Sequence, residues 1–491
     1  MRAAAGFALA TLLGCAPVDP HLGESAGARV DRVLGGLRPA LEIRGEPPVR
    51  WTLAERMAHH HVPGLSIAVI DSGRIAWARA VGLREAGSPD SVDNETVFQA
   101  GSISKPTFAV LAMRLVEDGV LELDQDVNER LSSWRVPENR FARSEKVTLR
   151  RLLSHRAGLT VHGFPGYPPG QPVPTVVQIL DGAAPANTAP VRVDTFPGAI
   201  ERYSGGGTTV AMLLVTDVTG RGLPELMDDL VFGPVGMSRS SYRQPLPEAL
   251  RANAASGHRP DGAMVTGRYN TYPEMSAAGL WTTATDLAKL AIELQRIRTG
   301  TGGSLMGPAT LAEMFTPQGP PGRAGFGIGY HLDGSGPELE FAHDGADLGF
   351  RASFVAFAER GQGAVVMTNG DNGDGLAAEI LAAVAVEYDW PSHRPIEKAV
   401  VPIDAARLAR LAGNYAFPFR RGQPAIGHVT LEDGRLYFEA PDAGFGKTEL
   451  LADSDSTFFT RGSDLPARFL IDAGGRATGL SLAGTIGARV R

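Results

Sequence analysis

The chain has 491 residues, of which 43% are hydrophobic and 21% are charged, and its formal net charge is −7. This length exceeds that of one ordinary domain, so we expect two or three domains with sizeable cores. The negative charge, without any basic run, argues against a nucleic-acid-binding surface. The single cysteine excludes an intramolecular disulfide and a cysteine-based metal site.

The first residues of the chain resemble the export signal of a bacterial lipoprotein. Arg2 supplies a positive charge, residues 3–13 form a short apolar run, and Leu12-Leu13-Gly14-Cys15 resembles a lipobox. The apolar run is too short for a transmembrane helix that is retained. We therefore expect residues 1–14 to be removed and Cys15 to carry a lipid that anchors the protein in the cell envelope, on the periplasmic or cell-surface side. A plain secretory signal is the alternative, and both place the protein outside the cytoplasm.

The next part of the chain predicts a tether, a hairpin and a helix. Residues 15–45 are polar and interrupted by glycine and proline, which indicates a tether followed by a first helix. Two apolar runs flank Asp71-Ser72-Gly73 and predict an antiparallel hairpin with a glycine turn. Beyond residue 100, apolar side chains recur every three and four positions, as on one face of a helix. These side chains are Phe108, Leu111, Ala112, Leu115 and Val116.

Ser102 lies at the start of that helix, and Lys105 follows three residues later. Residues three apart on a helix share a face about one turn apart, so we expect the hydroxyl and the amine to be in contact. A serine becomes nucleophilic when a neighbour takes its proton, and a buried lysine with a lowered pKa can do this. The helix dipole favours the negative charge that develops. The same spacing also arises by chance, with Ser102 acting only as a helix cap.

A long loop and a second group of short strands follow. The stretch between residues 160 and 198 is rich in proline and glycine and predicts a binding loop or lid. It leads into Tyr203-Ser204-Gly205, just before another predicted helix. From residue 325 short strand patterns appear, and His343-Asp344-Gly345-Ala346 lies in one of them. A long helix then ends near Tyr388.

The sequence changes character after residue 390. Three prolines mark residues 391–410 as a linker. Residues 411–491 alternate short strand-like runs with turns, which predicts an all-β domain of about eight strands. Gly446-Lys447-Thr448 lacks the other parts of a phosphate loop, so we do not interpret it as a binding site.

Three motifs now carry a resemblance to a known family. In order and spacing, Ser102-Ile103-Ser104-Lys105, Tyr203-Ser204-Gly205 and His343-Asp344-Gly345-Ala346 resemble the motifs of the serine β-lactamase and penicillin-binding-protein superfamily. The similarity is to its class C branch, which includes esterases and D-amino-acid peptidases, and covers residues 46–390. It implies an α+β fold, with an antiparallel sheet flanked by helices and an all-helical region. Residues 411–491 are similar to the lipocalin-like, barrel-like domains appended to several such hydrolases.

The resemblance implies a covalent acyl-enzyme mechanism that needs no metal or organic cofactor. Ser102 would attack the carbonyl carbon, and Lys105 and Tyr203 would move the proton. The backbone amides of Ser102 and Ala346 would hold the oxyanion. His343 would replace the lysine that is usual in the third motif, and both side chains are hydrogen-bond donors.

Gly205 departs from the family pattern, and with Gly345 it would border the substrate. The family usually has asparagine at the position of Gly205, where it helps to bind the amide side chain of the substrate. Glycine has no side-chain donor, so the sequence favours hydrolysis of a carboxylic ester or a small D-amino-acid amide or peptide. Two alternatives remain: a penicillin-recognising DD-peptidase or β-lactamase, and a catalytically silent protein that binds peptidoglycan or acts as a scaffold. The oligomeric state stays open.

Overall fold

The computed structural model describes most of the chain after its first residues. The described residues are 26–320, 323–418, 424–443, 445–461 and 465–490. Cys15 and the predicted signal at residues 1–14 lie outside them. None of the helices in these ranges is both long and apolar enough to cross a membrane.

The described residues form a series of α-helices and β-strands. The α-helices are α1 (Ala26–Leu34), α2 (Leu53–His59), α3 (Ser104–Glu117), α4 (Arg140–Ser144), α5 (Leu149–Leu153), α6 (Val176–Asp181), α7 (Gly205–Thr219), α8 (Leu223–Met227), α9 (Gly233–Val235), α10 (Glu248–Arg251), α11 (Met275–Ala278), α12 (Ala284–Thr299), α13 (Pro308–Met314), α14 (Gly373–Glu387) and α15 (Ala405–Leu411). The strands are β1 (Leu41–Ile43), β2 (Gly64–Asp71), β3 (Arg74–Gly82), β4 (Phe98–Gln99), β5 (Trp281–Thr282), β6 (Gly325–Phe326), β7 (His331–Asp333), β8 (Glu340–Asp347), β9 (Phe350–Phe357), β10 (Gly363–Thr368), β11 (Ile396–Lys398), β12 (Gly413–Pro418), β13 (Pro424–Glu432), β14 (Arg435–Ala440), β15 (Phe445–Ala452), β16 (Thr457–Thr460), β17 (Pro466–Ile471), β18 (Ala477–Leu482) and β19 (Thr485–Val490).

The central sheet has seven antiparallel strands in the order β3-β2-β10-β9-β8-β7-β6. Strand side chains alternate between the two faces of a sheet. On β2, Leu65, Ile67 and Val69 pack in the core shared with α14, whereas Ala68 and Ile70 pack in the core on the α12 side. Both faces of the sheet are therefore covered, which is why β2 carries apolar side chains on both of its faces. With β3 it forms the hairpin that the sequence predicted.

The helical region packs against one end of this sheet. Helix α3 contacts α11 and α13, and α7 contacts α5, α6 and α11. A 3-10 turn, Gly101–Ile103, precedes α3 and touches β8, β9 and α11. This junction between the sheet and the helices is where the residues of the three motifs meet.

The segments on either side of the sheet are tied to each other. Val30 and Val33 of α1 are buried in the core that contains α14. Strand β1 then pairs in parallel with β11, with Leu41 opposite Ile396. Leu41 also packs against Phe459 of the C-terminal strands, so this short sheet contacts both parts of the molecule.

Strands β12 to β19 form a closed antiparallel barrel, in which β12 pairs with both β13 and β19. This confirms the all-β, barrel-like domain expected at the C-terminus. The barrel core contains large aromatic side chains, and α15 adds two leucines to it. These core residues include Tyr415, Phe417, Phe438, Phe458, Phe469, Leu408 and Leu411.

Candidate active site

Ser102 and Lys105 are in direct contact. Ser102 lies in the 3-10 turn, and Lys105 lies in the first turn of α3. Lys105 Nζ donates to Ser102 Oγ at 2.9 Å and to the carbonyl oxygen of Ala277 at 2.8 Å. The lysine is only 4% exposed. The three-residue spacing therefore brings the two side chains together as expected, and α11 holds the amine in place through Ala277.

Two glycines allow β8 to approach this turn closely. Gly101 has a φ of +51°, and a Cβ there would lie 2.4 Å from the backbone nitrogen of Ala346. A Cβ at Gly345 would lie 1.9 Å from the carbonyl oxygen of Ala100. Both positions exclude a side chain because the nearby atoms belong to the backbone. The amide of Ala346 is consequently held beside the Ser102 turn, where an oxyanion hole would need it.

Tyr203 reaches the same place from the helical region. It precedes α7, whose first turn is capped by Ser204, since Ser204 Oγ accepts from the amide of Gly207 at 2.9 Å. Lys105 Nζ lies 4.8 Å from the centre of the Tyr203 ring. The Tyr203 hydroxyl lies 3.4 Å from His343 Nε2. Residues from all three sequence motifs thus surround one buried amine.

His343 is neutral, which differs from the donor role expected for a replacement of lysine. Its Nδ1 lies 2.6 Å from the carbonyl oxygen of Asp344, so this nitrogen carries the proton and donates. Burial, reinforced by the charge of Lys105, lowers the pKa of His343 to about 3. Its Nε2 therefore has a free lone pair and accepts from the Tyr203 hydroxyl. Burial of the ring disfavours its charged form, which explains the difference.

His155 is a further member of the site whose role the sequence did not reveal. Its Nδ1 accepts from the amide of Ser204 at 3.2 Å, and its ring centre lies 4.2 Å from that of Tyr203. Burial, with the charge of Lys105, holds the pKa of His155 well below its usual value, so the ring is neutral. In the sequence, Leu152-Leu153-Ser154-His155 strengthens the resemblance to the family but gives His155 no role. The contact shows that His155 positions the segment that carries Tyr203.

At position 205, the loop after residue 160 occupies the space that a side chain larger than glycine would need. Its amide donates to the carbonyl oxygen of His162 at 3.0 Å. A Cβ at position 205 would lie 3.0 Å from Phe164 Cε2 and 3.1 Å from that carbonyl oxygen. The ring of His162 lies 4.9 Å from the Tyr203 ring and lines the cleft. The loop that the sequence predicted as a lid or binding loop thus occupies the region next to Gly205.

These residues open onto one active-site cleft of about 1150 Å³. Ser102, Tyr203, His343, Gly345 and Ala346 line it. Its far end is bordered by α14 and by the chain that follows that helix. In the part of the chain that the structure describes, no group of three or more His, Cys, Asp or Glu side chains is arranged to hold a metal ion.

Known proteins resemble the chain in the same region. A family model described as Beta-lactamase matches residues 49–387. Penicillin-binding protein 4 of Amycolatopsis lactamdurans is 32% identical over 200 residues, which is 40% of this chain and 49% of that protein. Esterase EstB of Burkholderia gladioli is 28% identical over 203 residues, which is 40% of this chain and 50% of the esterase. The chain thus spans about half the length of these two curated relatives.

A solved structure resembles the chain over a longer span. The octameric penicillin-binding protein homologue from Pyrococcus abyssi superposes with a TM-score of 0.57, covering 89% of this chain and 98% of that one. The sequence identity is 21%, so this similarity supports the fold alone. It agrees with the sheet, the helical region and the barrel described above.

Proposed function

Because the chain belongs to the Beta-lactamase family and is a serine hydrolase of the β-lactamase and penicillin-binding-protein superfamily, we propose that it hydrolyses carboxylic esters through an acyl-enzyme on Ser102. The observation that carries this proposal is the buried contact between Lys105 Nζ and Ser102 Oγ, 2.9 Å long. A base within hydrogen-bond distance is what an alcohol nucleophile requires. Tyr203, which lies against the same amine, is the second group able to move a proton.

The steps of the proposed reaction follow from these positions. With Lys105 as the neutral amine, Ser102 Oγ bonds to the ester carbonyl carbon while its proton passes to Lys105, and the amides of Ser102 and Ala346 hold the resulting oxyanion. The oxyanion then collapses and the bond to the alkoxy oxygen breaks. Tyr203 gives its hydroxyl proton to the departing alkoxide and takes the proton from Lys105 in return. Water attacks the acyl-enzyme by the reverse route, releasing the acid and restoring Ser102. Neutral His343 accepts from the Tyr203 hydroxyl and so orients it.

The preference for esters rests on Gly205. A substrate with an amide in its side chain needs a hydrogen-bonding group from the protein, and glycine supplies none from its side chain. The missing hydrogen bond weakens binding of such a substrate by about 1 kcal/mol or more. An alcohol leaving group also needs less help with protonation than an amine does. The esterase relative supports the same choice. The second candidate, a penicillin-recognising enzyme, is supported by the match to a penicillin-binding protein.

A small substrate panel separates the candidates. Purified protein is assayed with p-nitrophenyl acetate and butyrate, with D-alanine p-nitroanilide, and with nitrocefin, alongside Ser102→Ala as the control. We expect ester hydrolysis that depends on Ser102 and much slower turnover of the anilide and nitrocefin. Nitrocefin turnover well above that of every ester would instead establish the penicillin-recognising candidate. A wild-type protein that hydrolyses nothing would favour the silent scaffold.

A further inference from the structure

The hydroxyl of Ser104 lies behind the turn that carries Ser102. Ser104 is the first residue of α3, and its side chain is fully buried. Its Oγ donates to the carbonyl oxygen of Gly101 at 2.6 Å and accepts from the backbone amide of Leu280 at 3.0 Å. A carbonyl oxygen only accepts and an amide only donates, so the direction of both hydrogen bonds is determined. The single hydroxyl proton of Ser104 is therefore committed to Gly101.

The carbonyl oxygen of Gly101 belongs to the same peptide unit as the amide of Ser102. A peptide unit is planar and trans, so its C=O and N–H groups point in opposite directions. When Ser104 holds the oxygen, the N–H of Ser102 must point away from the Ser104 hydroxyl. This N–H is one of the two donors that hold the oxyanion in the proposed reaction. The Ser104 hydroxyl thus determines the orientation of one oxyanion donor.

This peptide unit needs a restraint because a glycine precedes its amide. Gly101 has a φ of +51°, and glycine rotates about its backbone bonds more freely than other residues. The backbone amide of Ser104 also donates to the Gly101 carbonyl oxygen, but it is shared with the carbonyl oxygen of Ser102. The hydroxyl proton, in contrast, acts on the Gly101 oxygen alone. Loss of the hydroxyl should therefore leave the peptide unit freer to rotate.

Leu280 connects the same turn to the segment that holds Lys105. Its amide donates to Ser104 Oγ, and its carbonyl oxygen accepts from the amide of Ala100 at 2.9 Å. Leu280 follows α11, whose Ala277 accepts from Lys105. A serine often bonds the carbonyl three residues before it without any consequence for function. Here, the bond belongs to a network that joins the turn of the nucleophile to the anchor of the lysine.

We propose that Ser104 is a positioning residue of the oxyanion hole, whose hydroxyl aims the Ser102 amide at the oxyanion. The inference rests on the proposed ester hydrolysis and adds a residue that acts on the reaction without touching the substrate. A hydrogen bond to the carbonyl oxygen also polarises the peptide unit and so strengthens its N–H as a donor. Removal of the hydroxyl should weaken the binding of a tetrahedral anion more than the binding of the planar ester.

The test compares Ser104→Ala with Thr107→Val, a matched control in the same helix. Thr107 is also fully buried, and its hydroxyl donates to the carbonyl oxygen of Ile103 at 2.9 Å. Thr107→Val therefore removes a similar hydrogen bond that is not on the peptide unit of Ser102. Each protein is assayed for kcat/KM with p-nitrophenyl acetate and for its melting temperature. The dissociation constant of phenylboronic acid, which forms a tetrahedral anionic adduct with a nucleophilic serine, is also measured.

Ser104→Ala should lower kcat/KM at least about tenfold, because complete removal of an oxyanion donor costs about 100-fold or more. It should weaken the binding of phenylboronic acid by a similar factor. Thr107→Val should lower the melting temperature but keep kcat/KM and the boronate affinity close to those of wild type. Ser104→Cys, whose thiol is a weaker donor, should give values between those of Ser104→Ala and wild type. Ser104→Cys decides the question if Ser104→Ala does not fold.

The other outcomes contradict the inference in different ways. Wild-type kcat/KM and boronate affinity in a folded Ser104→Ala variant, or in Ser104→Cys if only that variant folds, would overturn it and leave the ester-hydrolase proposal intact. Equal losses in Thr107→Val would also overturn it, because they would show a general loosening of α3. A lower kcat/KM with unchanged boronate affinity would show that Ser104 does not act on the oxyanion. A wild-type protein that neither hydrolyses esters nor binds the boronate would refute the proposed function itself, and this inference with it.

Discussion

At position 205 the chain has glycine where the family usually has asparagine, and the neighbouring loop is packed to match this difference. The family asparagine would need space that Phe164 and the carbonyl oxygen of His162 now occupy, at 3.0 and 3.1 Å from a Cβ. Loss of the asparagine and the position of the loop after residue 160 are therefore coupled. An asparagine introduced at position 205 would therefore not recreate the family site unless the loop also moved.

Gly205→Asn by itself should destabilise the protein and lower ester turnover, because the new side chain forces Phe164 to move. Gly205→Asn combined with Phe164→Ala should recover stability and raise the ratio of nitrocefin to ester hydrolysis. Thermal melts and the two assays on the single and double variants check this, with Phe164→Ala alone as the control. If Gly205→Asn alone were as stable and active as wild type, the space would be open and the packing argument would fail.

The contact between Ser102 and Lys105 could be predicted because it is local: three residues of helix geometry determine it. The state of His343 could not be predicted, because it depends on burial and on a lysine more than 200 positions away in the sequence. The roles of His155 and Phe164 are also invisible in the pattern, since each acts through contacts with another element.

Glu274, at the start of α11, provides a pH-dependent test of the packing behind the site. It is fully buried, and neither carboxyl oxygen has a hydrogen-bond partner among the residues that the structure describes. Burial raises its pKa from 4.5 to about 7. Between these values the folded protein binds more protons than the unfolded chain, so its stability falls as the pH rises through this window.

Glu274→Gln removes this ionisation. The unfolding free energy of the variant, measured relative to that of wild type, should rise by about 2.5 kcal/mol between pH 5 and pH 8, since one pKa unit corresponds to about 1.4 kcal/mol. Urea unfolding of both proteins at the two pH values measures the change. An equal difference between variant and wild type at both values would show that Glu274 is ionised throughout.

At the scale of elements, the pattern of apolar residues along the sequence indicates some of the short strands but not others. The strand patterns between residues 341 and 368 correspond to β8, β9 and β10. The last two runs are mostly apolar and follow turns, which makes them recognisable. Strands β15 and β19 show little of this pattern. The first residues of β15 are exposed, and β19 is exposed at most positions, so neither shows a clear apolar run. Gly487 of β19 faces Phe417, where a Cβ would lie 2.9 Å from the ring.

The approach of β8 to the Ser102 turn is tested at Gly345. Gly345→Ala places a methyl group against the carbonyl oxygen of Ala100, so β8 must move away and take the amide of Ala346 with it. We expect a loss of ester turnover on the order of 100-fold, as for removal of an oxyanion donor, and a lower melting temperature. Gly446→Ala is the control, because no atom lies within 4 Å of a Cβ there. Turnover in Gly345→Ala close to that of wild type would contradict this account of the turn.

At the scale of the whole molecule, the paired strands β1 and β11 connect the chain before the sheet to the chain after it. The composition change after residue 390 indicated a separate β region. It did not indicate this pairing, because parallel partners more than 350 residues apart leave no local signal. The contribution of residues 391–394 to the cleft was equally hidden.

We propose that Cys15, which precedes the described residues, carries a lipid anchor. In a bacterial host, Cys15→Ser should move the protein from the membrane fraction to the soluble fraction of the cell envelope, since its lipid would be the anchor. Fractionation and the mass of the mature N-terminus measure this. A wild-type protein that is already soluble and begins beyond residue 15 would contradict the lipobox interpretation.

The central claim is that Ser102, activated by Lys105, is the nucleophile, and covalent labelling tests it most directly. Wild-type protein is treated with a fluorophosphonate, digested, and the adduct is located by mass spectrometry. We expect one adduct on Ser102, no adduct in Ser102→Ala, and labelling of Lys105→Ala that is slower by about 100-fold or more. An adduct on Ser104, or undiminished labelling of a folded Ser102→Ala variant, would contradict the account.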